Sequence, residues 1–205
     1  MLEAVDLECV RSGKRLFRGL SFTLRGGELL RVAGANGSGK TSLLRILCGL
    51  LHPSAGEVRW RGNSIHSLKE EYGAQLVYLG HAPAVKDELT PAENLDIACR
   101  LAGMPVSTKD VLAALDRFGL SATDVPAKML SQGQRRRSAL ARLALSESIP
   151  LWLLDEPFSA LDAAAARLTE DSISRHVARG AAVVYTTHQE TGIAASRIID
   201  LGQAA

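Results

Sequence analysis

The eight residues Gly34-Ala35-Asn36-Gly37-Ser38-Gly39-Lys40-Thr41 constrain this chain more than any other segment. They spell a complete G-x-x-x-x-G-K-T, and their setting decides what they mean. Glu28 to Ala33 (ELLRVA) is a short apolar run suited to a buried strand, and from Ser42 to Leu47 the chain reads as a helix ending near Gly49. A strand, a glycine-rich loop and a helix start together form an anion cradle. The glycines let successive N–H groups turn inward, and the helix adds the positive end of its dipole. The predicted phosphate-binding set is therefore Gly34, Ala35, Asn36, Gly37, Ser38, Gly39, Lys40, Thr41 and Ser42. Lys40 supplies positive charge to β- and γ-phosphates, and Thr41 offers a hydroxyl to Mg²⁺.

The rest of the pattern fits an α/β chain. Leu2 to Cys9, Arg15 to Leu24, Gly56 to Arg61 and Gln75 to Leu79 read as strands. From Thr90 to about Leu145 the character is helical. Thr90 is a candidate cap before Pro91, with apolar residues at helical spacing from Glu93 to Leu101, then Lys109 to Phe118, then a helix from Gln132 through Leu143. Strand–helix alternation returns with Pro150 to Leu154, an Ala-rich helix from about Asp162, a strand at Ala181 to Tyr185, a short helix near Gln189 to Ala194 and an edge strand at Ile198 to Leu201. Such alternation implies a largely parallel sheet covered on both faces, here with a helical lobe inserted mid-chain.

A second motif lies in Leu151-Trp152-Leu153-Leu154-Asp155-Glu156. The apolar run ends in a carboxylate at the C-terminal end of a buried strand, where open parallel sheets bind their ligands. Asp155 would hold Mg²⁺ through water and Glu156 would polarise an attacking water; the bland alternative is a strand followed by an acidic turn.

Composition narrows the partners. A net charge of +2 gives no reason to expect nucleic acid, and Arg135-Arg136-Arg137 reads as a solvated helix face or a phosphate contact. Three scattered cysteines, Cys9, Cys48 and Cys99, form neither a disulfide framework nor a metal motif, so reduced packed thiols are expected. No apolar stretch approaches the ~20 residues a bilayer span needs. The acidic N-terminus does not resemble a signal peptide either. A chain that neither crosses a membrane nor is exported is expected, with any membrane role supplied through a partner.

With these motifs in place, the sequence resembles an ABC transporter nucleotide-binding subunit over essentially its whole length. Leu130-Ser131-Gln132-Gly133-Gln134 differs by one residue from the LSGGQ signature of that family. Ser159-Ala160-Leu161-Asp162 matches the family's D-loop, and Thr186-Thr187-His188 its switch histidine. The resemblance implies an α/β fold of the P-loop NTPase type: a RecA-like parallel core, an N-terminal antiparallel β-subdomain and an inserted helical lobe. It implies one nucleotide-binding domain over 1–205, with core segments at 1–82 and 131–205 and the lobe at about 83–130. It implies ATP and Mg²⁺, and a homodimer in which Ser131 and Gly133 of one subunit cap ATP bound to the other. The catalytic residues would be Lys40, Glu156 and His188, and the metal ligands Thr41, Asp155 and His81, the last standing where the family usually has glutamine. The adenine-stacking aromatic has no evident counterpart; Arg11-Ser12-Gly13-Lys14 occupies that region, with Phe17 slightly later, and the position stays unassigned.

Within the family, the sequence is most similar to the ATPases of the cytochrome c maturation haem exporter. Leu16-Phe17-Arg18-Gly19-Leu20-Ser21-Phe22, Gly80-His81-Ala82-Pro83 and the run Gln134 to Leu143 carry that likeness, together with Asp155-Glu156-Pro157-Phe158 and Thr186-Thr187-His188-Gln189. This implies a peripheral subunit on the cytoplasmic face of a bacterial inner membrane, integral membrane subunits as partners and, indirectly, a periplasmic haem chaperone. An ATPase for export of another substrate (lipid, drug or peptide) stays open, as does a soluble ABC protein outside transport. The five histidines, His52, His66, His81, His176 and His188, show no ligand-like pairing in the sequence.

Overall fold

The computed structural model describes residues 1–120 and 124–203; residues 121–123 of the predicted lobe and the last two residues lie outside the described part. Two sheets form. The N-terminal strands β1 (Leu2–Arg11) and β2 (Lys14–Leu24) pair antiparallel, and β1 also pairs antiparallel with β4 (Ala55–Trp60), which carries the two-residue β5 (Asn63–Ser64). The second sheet is parallel, in the order β6 (Leu76–Leu79), β7 (Leu151–Leu154), β8 (Ala182–Thr186), β3 (Leu29–Ala33), β9 (Arg197–Asp200). This is the α/β P-loop arrangement expected, with its antiparallel N-terminal sheet.

Burial explains why β7 and β8 are apolar throughout. Leu151 and Leu153 of β7 face a core shared with the antiparallel sheet and with α1 (Lys40–Leu47). Trp152 and Leu154 face the opposite core, which holds Leu95, Leu115, Phe118 and Ile173. Those residues come from α4 (Pro91–Leu101), α5 (Thr108–Arg117) and the residue after it, and α8 (Ala163–Ala178). A strand covered on both faces loses its polar alternation.

The helical middle begins at the cap expected, Thr90. Thr90 and Glu93 form a reciprocal capping box with Pro91 at the first turn, and Ser107 does the same with Asp110 for α5. The helix expected through Leu143 stops sooner. It divides into α6 (Gln132–Leu140) and α7 (Arg142–Leu145), with a tight Ala144 N–H to Ala141 carbonyl bond at the break. Two one-turn helices, α2 (Ile65–Leu68) and α3 (Glu70–Gly73), are too short for any periodicity to announce. The helix expected near Gln189 to Ala194 does not form. The Gln189 N–H bonds the Thr187 hydroxyl at 3.0 Å, and the Gly192 N–H bonds a Glu170 carboxylate oxygen at 2.7 Å. The Glu170 carboxylate thus takes the Gly192 N–H that the first helical turn would need.

Trp152 and His176 stack across the β7–α8 interface, with centroids 3.6 Å apart and planes 10° from parallel. His176 is 1% exposed. Burial pulls its pKa down from 6.5 to about 4, against a backbone contact at Ile149 and the Glu147 charge, which push upward. The folded value is depressed for a base, so the unfolded chain binds the proton first as pH falls. Stability present above pH 6.5 is therefore lost on descent toward pH 4, by about 2 kcal/mol between pH 7 and pH 5. His176→Phe keeps an aromatic stack and removes the titration. Urea midpoints at pH 7 and pH 5 should converge in this variant, and an unchanged gap would take His176 out of the acid response.

Candidate functional site

The parallel register brings four strand ends to one edge: Leu79 lies beside Leu154, Leu154 beside Tyr185, and Thr186 beside Val32. The residues that follow each strand are those the sequence singled out. After β3 the chain turns through Gly34 (φ 141°), Gly37 (φ 79°) and Gly39 (φ 105°) into α1. Gly39 is required twice over, since its φ is left-handed and an added Cβ would lie 3.1 Å from Leu16 Cβ and Phe17 Cδ1. No side chain caps α1, so its first-turn N–H groups are left for a ligand. Lys40 is buried and donates from Nζ to the Gly34 and Ala35 carbonyls at 2.8 and 3.1 Å.

Asp155, 1% exposed, accepts at both carboxylate oxygens. Thr41 Oγ1 donates to Oδ2 and Thr186 Oγ1 to Oδ1, each at 2.8 Å. The same Thr186 hydroxyl accepts the Glu156 N–H at 2.8 Å. Glu156 has φ 51°, the left-handed region that favours glycine. Its carboxylate faces His188: Oε1 lies 3.2 Å from Nε2, and Oε2 accepts the His188 backbone N–H at 3.3 Å.

A cavity of about 670 Å³ opens over this edge, within the size range of small-molecule and cofactor pockets. Asn36, Gly37, Gly39, Lys40, Thr41, Ser42, His81, Asp155, Glu156 and His188 all line it. Gly34, Ala35 and Ser38 support it from behind. The Ser38 hydroxyl is buried with no partner among the described residues, and the Gly34 and Ala35 carbonyls hold Lys40. The structure does not bring Ser131 or Gly133 to this cavity. Ser131 is exposed and N-caps α6 through a capping box with Gln134, and Gly133 lies so close to the Ala160 carbonyl that a Cβ would sit 2.8 Å from it.

A search against family models matches residues 17–159 to the ABC transporter family. The cytochrome c biogenesis ATP-binding export protein CcmA of Dechloromonas aromatica is 54% identical over 202 residues, covering 98% of each chain. This chain belongs to the CcmA group of the ABC transporter family. Solved structures agree on the fold of this ABC ATPase. An ABC transporter ATP-binding protein of Pyrococcus furiosus superposes with TM-score 0.84 at 23% identity, over 100% of this chain and 98% of that one. The cassette MJ0796, solved as a dimer in a post-hydrolysis state with ADP and Pi, gives TM-score 0.81 at 23% identity over 92% and 88%.

Some site residues escaped the sequence reading. Thr186 carried no role there, yet its hydroxyl joins Asp155 to Glu156; a polar residue closing an apolar strand beside a carboxylate-ended one was the available signal. Arg11 and Leu16 line the cavity, which gives the unassigned end of the site two neighbours. Arg136 is not on a solvated helix face, because it is 3% exposed and bonded to the strand ends. His52 and His66, unpaired in the sequence reading, stack with centroids 4.3 Å apart outside the cavity lining.

Thr186→Val keeps the shape and removes the hydroxyl. It leaves a buried carboxylate oxygen and the Glu156 N–H short of a partner, which should cost about 2 kcal/mol. A thermal melt and an ATPase assay should both show a loss; wild-type values in both would remove Thr186 from the site.

Proposed function

We propose that this ABC ATPase works as the ATP-hydrolysing subunit of a membrane export complex, driving haem export and release of a haem-loaded periplasmic chaperone in cytochrome c maturation. One observation carries the ATPase reading: a phosphate cradle, a buried Asp–Thr pair and a Glu–His pair share one cavity. The CcmA likeness over nearly the whole chain supports the export role.

In this reading Lys40 leaves the Gly34 and Ala35 carbonyls and places its charge on the phosphates, which also occupy the uncapped start of α1. The hydroxyl of Thr41 and the carboxylate of Asp155, 2.8 Å apart, offer the hard oxygen donors that suit Mg²⁺. Thr41 would hold the ion directly and Asp155 through water, with His81, on the cavity lining, approaching the ion or a water bound to it. When bound, Mg²⁺ supplies charge neutralisation along the phosphates. Glu156 orients and polarises the attacking water, and His188, held beside it, contacts the γ-phosphate. These groups act chiefly by position and charge.

Ser131 and Gly133 belong to the opposite subunit's nucleotide in this scheme. Their place at the exposed start of α6, outside the cavity of their own chain, supports that assignment. A homodimer therefore encloses two ATP molecules. Among the described residues no helix is long and apolar enough to cross a membrane; in this reading the integral membrane subunits of the exporter are its partners. The lobe at about 83–130 would receive their coupling helix, placing the dimer at the cytoplasmic face of the inner membrane.

Lys40→Ala should lower ATP turnover by at least roughly 100-fold, since it removes the phosphate-facing charge. Cells whose only copy carries Lys40→Ala should lose haem-stained c-type cytochrome bands while still making apocytochrome, and the wild-type gene should restore them. Normal bands would remove the chain from cytochrome c maturation and leave the ATPase chemistry to another export system.

A further inference from the structure

Three consecutive arginines of α6 take three different directions. Arg135 pairs with Asp87, and Arg137 Nη1 donates to the Phe118 and Gly119 carbonyls at 3.4 and 3.2 Å. Arg136 turns inward and is almost wholly buried. Its guanidinium is spread over four backbone carbonyls. Nη1 donates to Gly80 at 2.9 Å and His81 at 3.3 Å, while Nη2 donates to Asp155 at 2.9 Å and Glu156 at 2.7 Å. Gly80 and His81 follow β6, and Asp155 and Glu156 follow β7. One planar side chain therefore ties together the two strand ends whose next residues face the cavity.

A buried cation here needs a reason, because burial of a charge is costly and an apolar side chain could fill the same space. Burial is the main influence on the Arg136 pKa and pulls it below the usual arginine value, while the Asp155 and Glu156 charges push it back up. The backbone of Glu156 supplies the reason. Its left-handed φ of 51° is strained for a non-glycine residue and must be held from outside. Thr186 Oγ1 takes its N–H and Arg136 Nη2 binds its carbonyl, so both ends of the strained residue are fixed.

We infer that Arg136 is a positioning residue for catalysis, holding Glu156 in the strained conformation that presents its carboxylate to the cavity. The same residue joins Glu156 to α6, whose first turn carries Ser131 and Gly133. A shift of that helix on dimer closure is thereby transmitted to the water-polarising group of the same subunit. This rests on the reading of Glu156 as the group that acts on the attacking water.

The test is steady-state and single-turnover ATP hydrolysis by the full-length chain in its membrane complex. Arg136→Lys and Arg136→Gln are measured alone and in a Glu156→Gln background. Lysine keeps the charge but cannot bridge two carbonyl pairs as a planar fork does, and glutamine keeps donors without charge. Each variant alone should lose roughly 10- to 100-fold in kcat, with the KM for ATP within about threefold of wild type; because each also leaves buried carbonyls unpaired and lowers the melting temperature, rates are compared below the onset of melting of both variants. In the Glu156→Gln background neither should lower the residual rate further, because the group being positioned is already gone. Wild-type kcat in both variants overturns the inference. So does a loss of ATP binding that matches the loss of rate, and so does an undiminished further loss in the double variants. Glu156→Gln turning over at the wild-type rate would overturn the reading of Glu156 itself, whatever the Arg136 variants do.

Discussion

The carboxylate of Asp155 is the interaction on which the rest of the site depends. Nearly sealed from solvent, it is matched oxygen for oxygen by the hydroxyls of Thr41 and Thr186. Those hydroxyls come from residues 114 positions before and 31 positions after it in the chain. Burying a carboxylate without such partners would carry a large desolvation cost. The two hydroxyls therefore fix the start of α1, the end of β7 and the end of β8 relative to one another. Because β3, β7 and β8 run parallel in register, this alignment carries the phosphate loop, Glu156 and His188 to the same edge.

Around that fixed point the structure concentrates strain. Glu156 sits in a conformation suited to glycine, and its N–H, carbonyl and side chain are each engaged by a different element: β8, α6 and the turn at His188. Strain of this kind persists only where surrounding groups over-determine it. The consequence is a cavity carboxylate whose backbone is held by elements outside the cavity. Ser131 and Gly133 stand at the head of one of those elements but away from their own chain's cavity. A single chain thus holds every part of the site except the part expected to close it.

What the sequence made legible was local. The phosphate loop declares itself in eight contiguous residues, and its function needs only their backbone conformation and the helix that follows. The cap expected at Thr90 is likewise local, its box closing within four residues; the boxes at Ser107 and Ser131 are just as local but were not singled out in the sequence. The fully apolar run of β7 announced a strand covered on both sides. Arg136 was illegible for the opposite reason. Nothing between Arg135 and Arg137 distinguishes it, and its burial is decided by carbonyls 19 and more residues away. The segment after His188 failed as a helix because Glu170, on α8, captures its Gly192 N–H, a tertiary contact that no periodicity encodes. The stacked His52 and His66 came together through the one-turn α2, an element too short to be foreseen.

The central claim is that two copies of this chain complete each other's nucleotide sites through Ser131 and Gly133. The most direct measurement is the mass of Glu156→Gln by light scattering, with and without ATP. Removal of the water-polarising carboxylate should leave ATP bound and unhydrolysed, so the variant should shift from monomer to dimer on addition of ATP. The shift should disappear when Ser131→Arg is added to block the closing surface. A mass unaffected by ATP under conditions where binding is saturated would contradict the shared-site account.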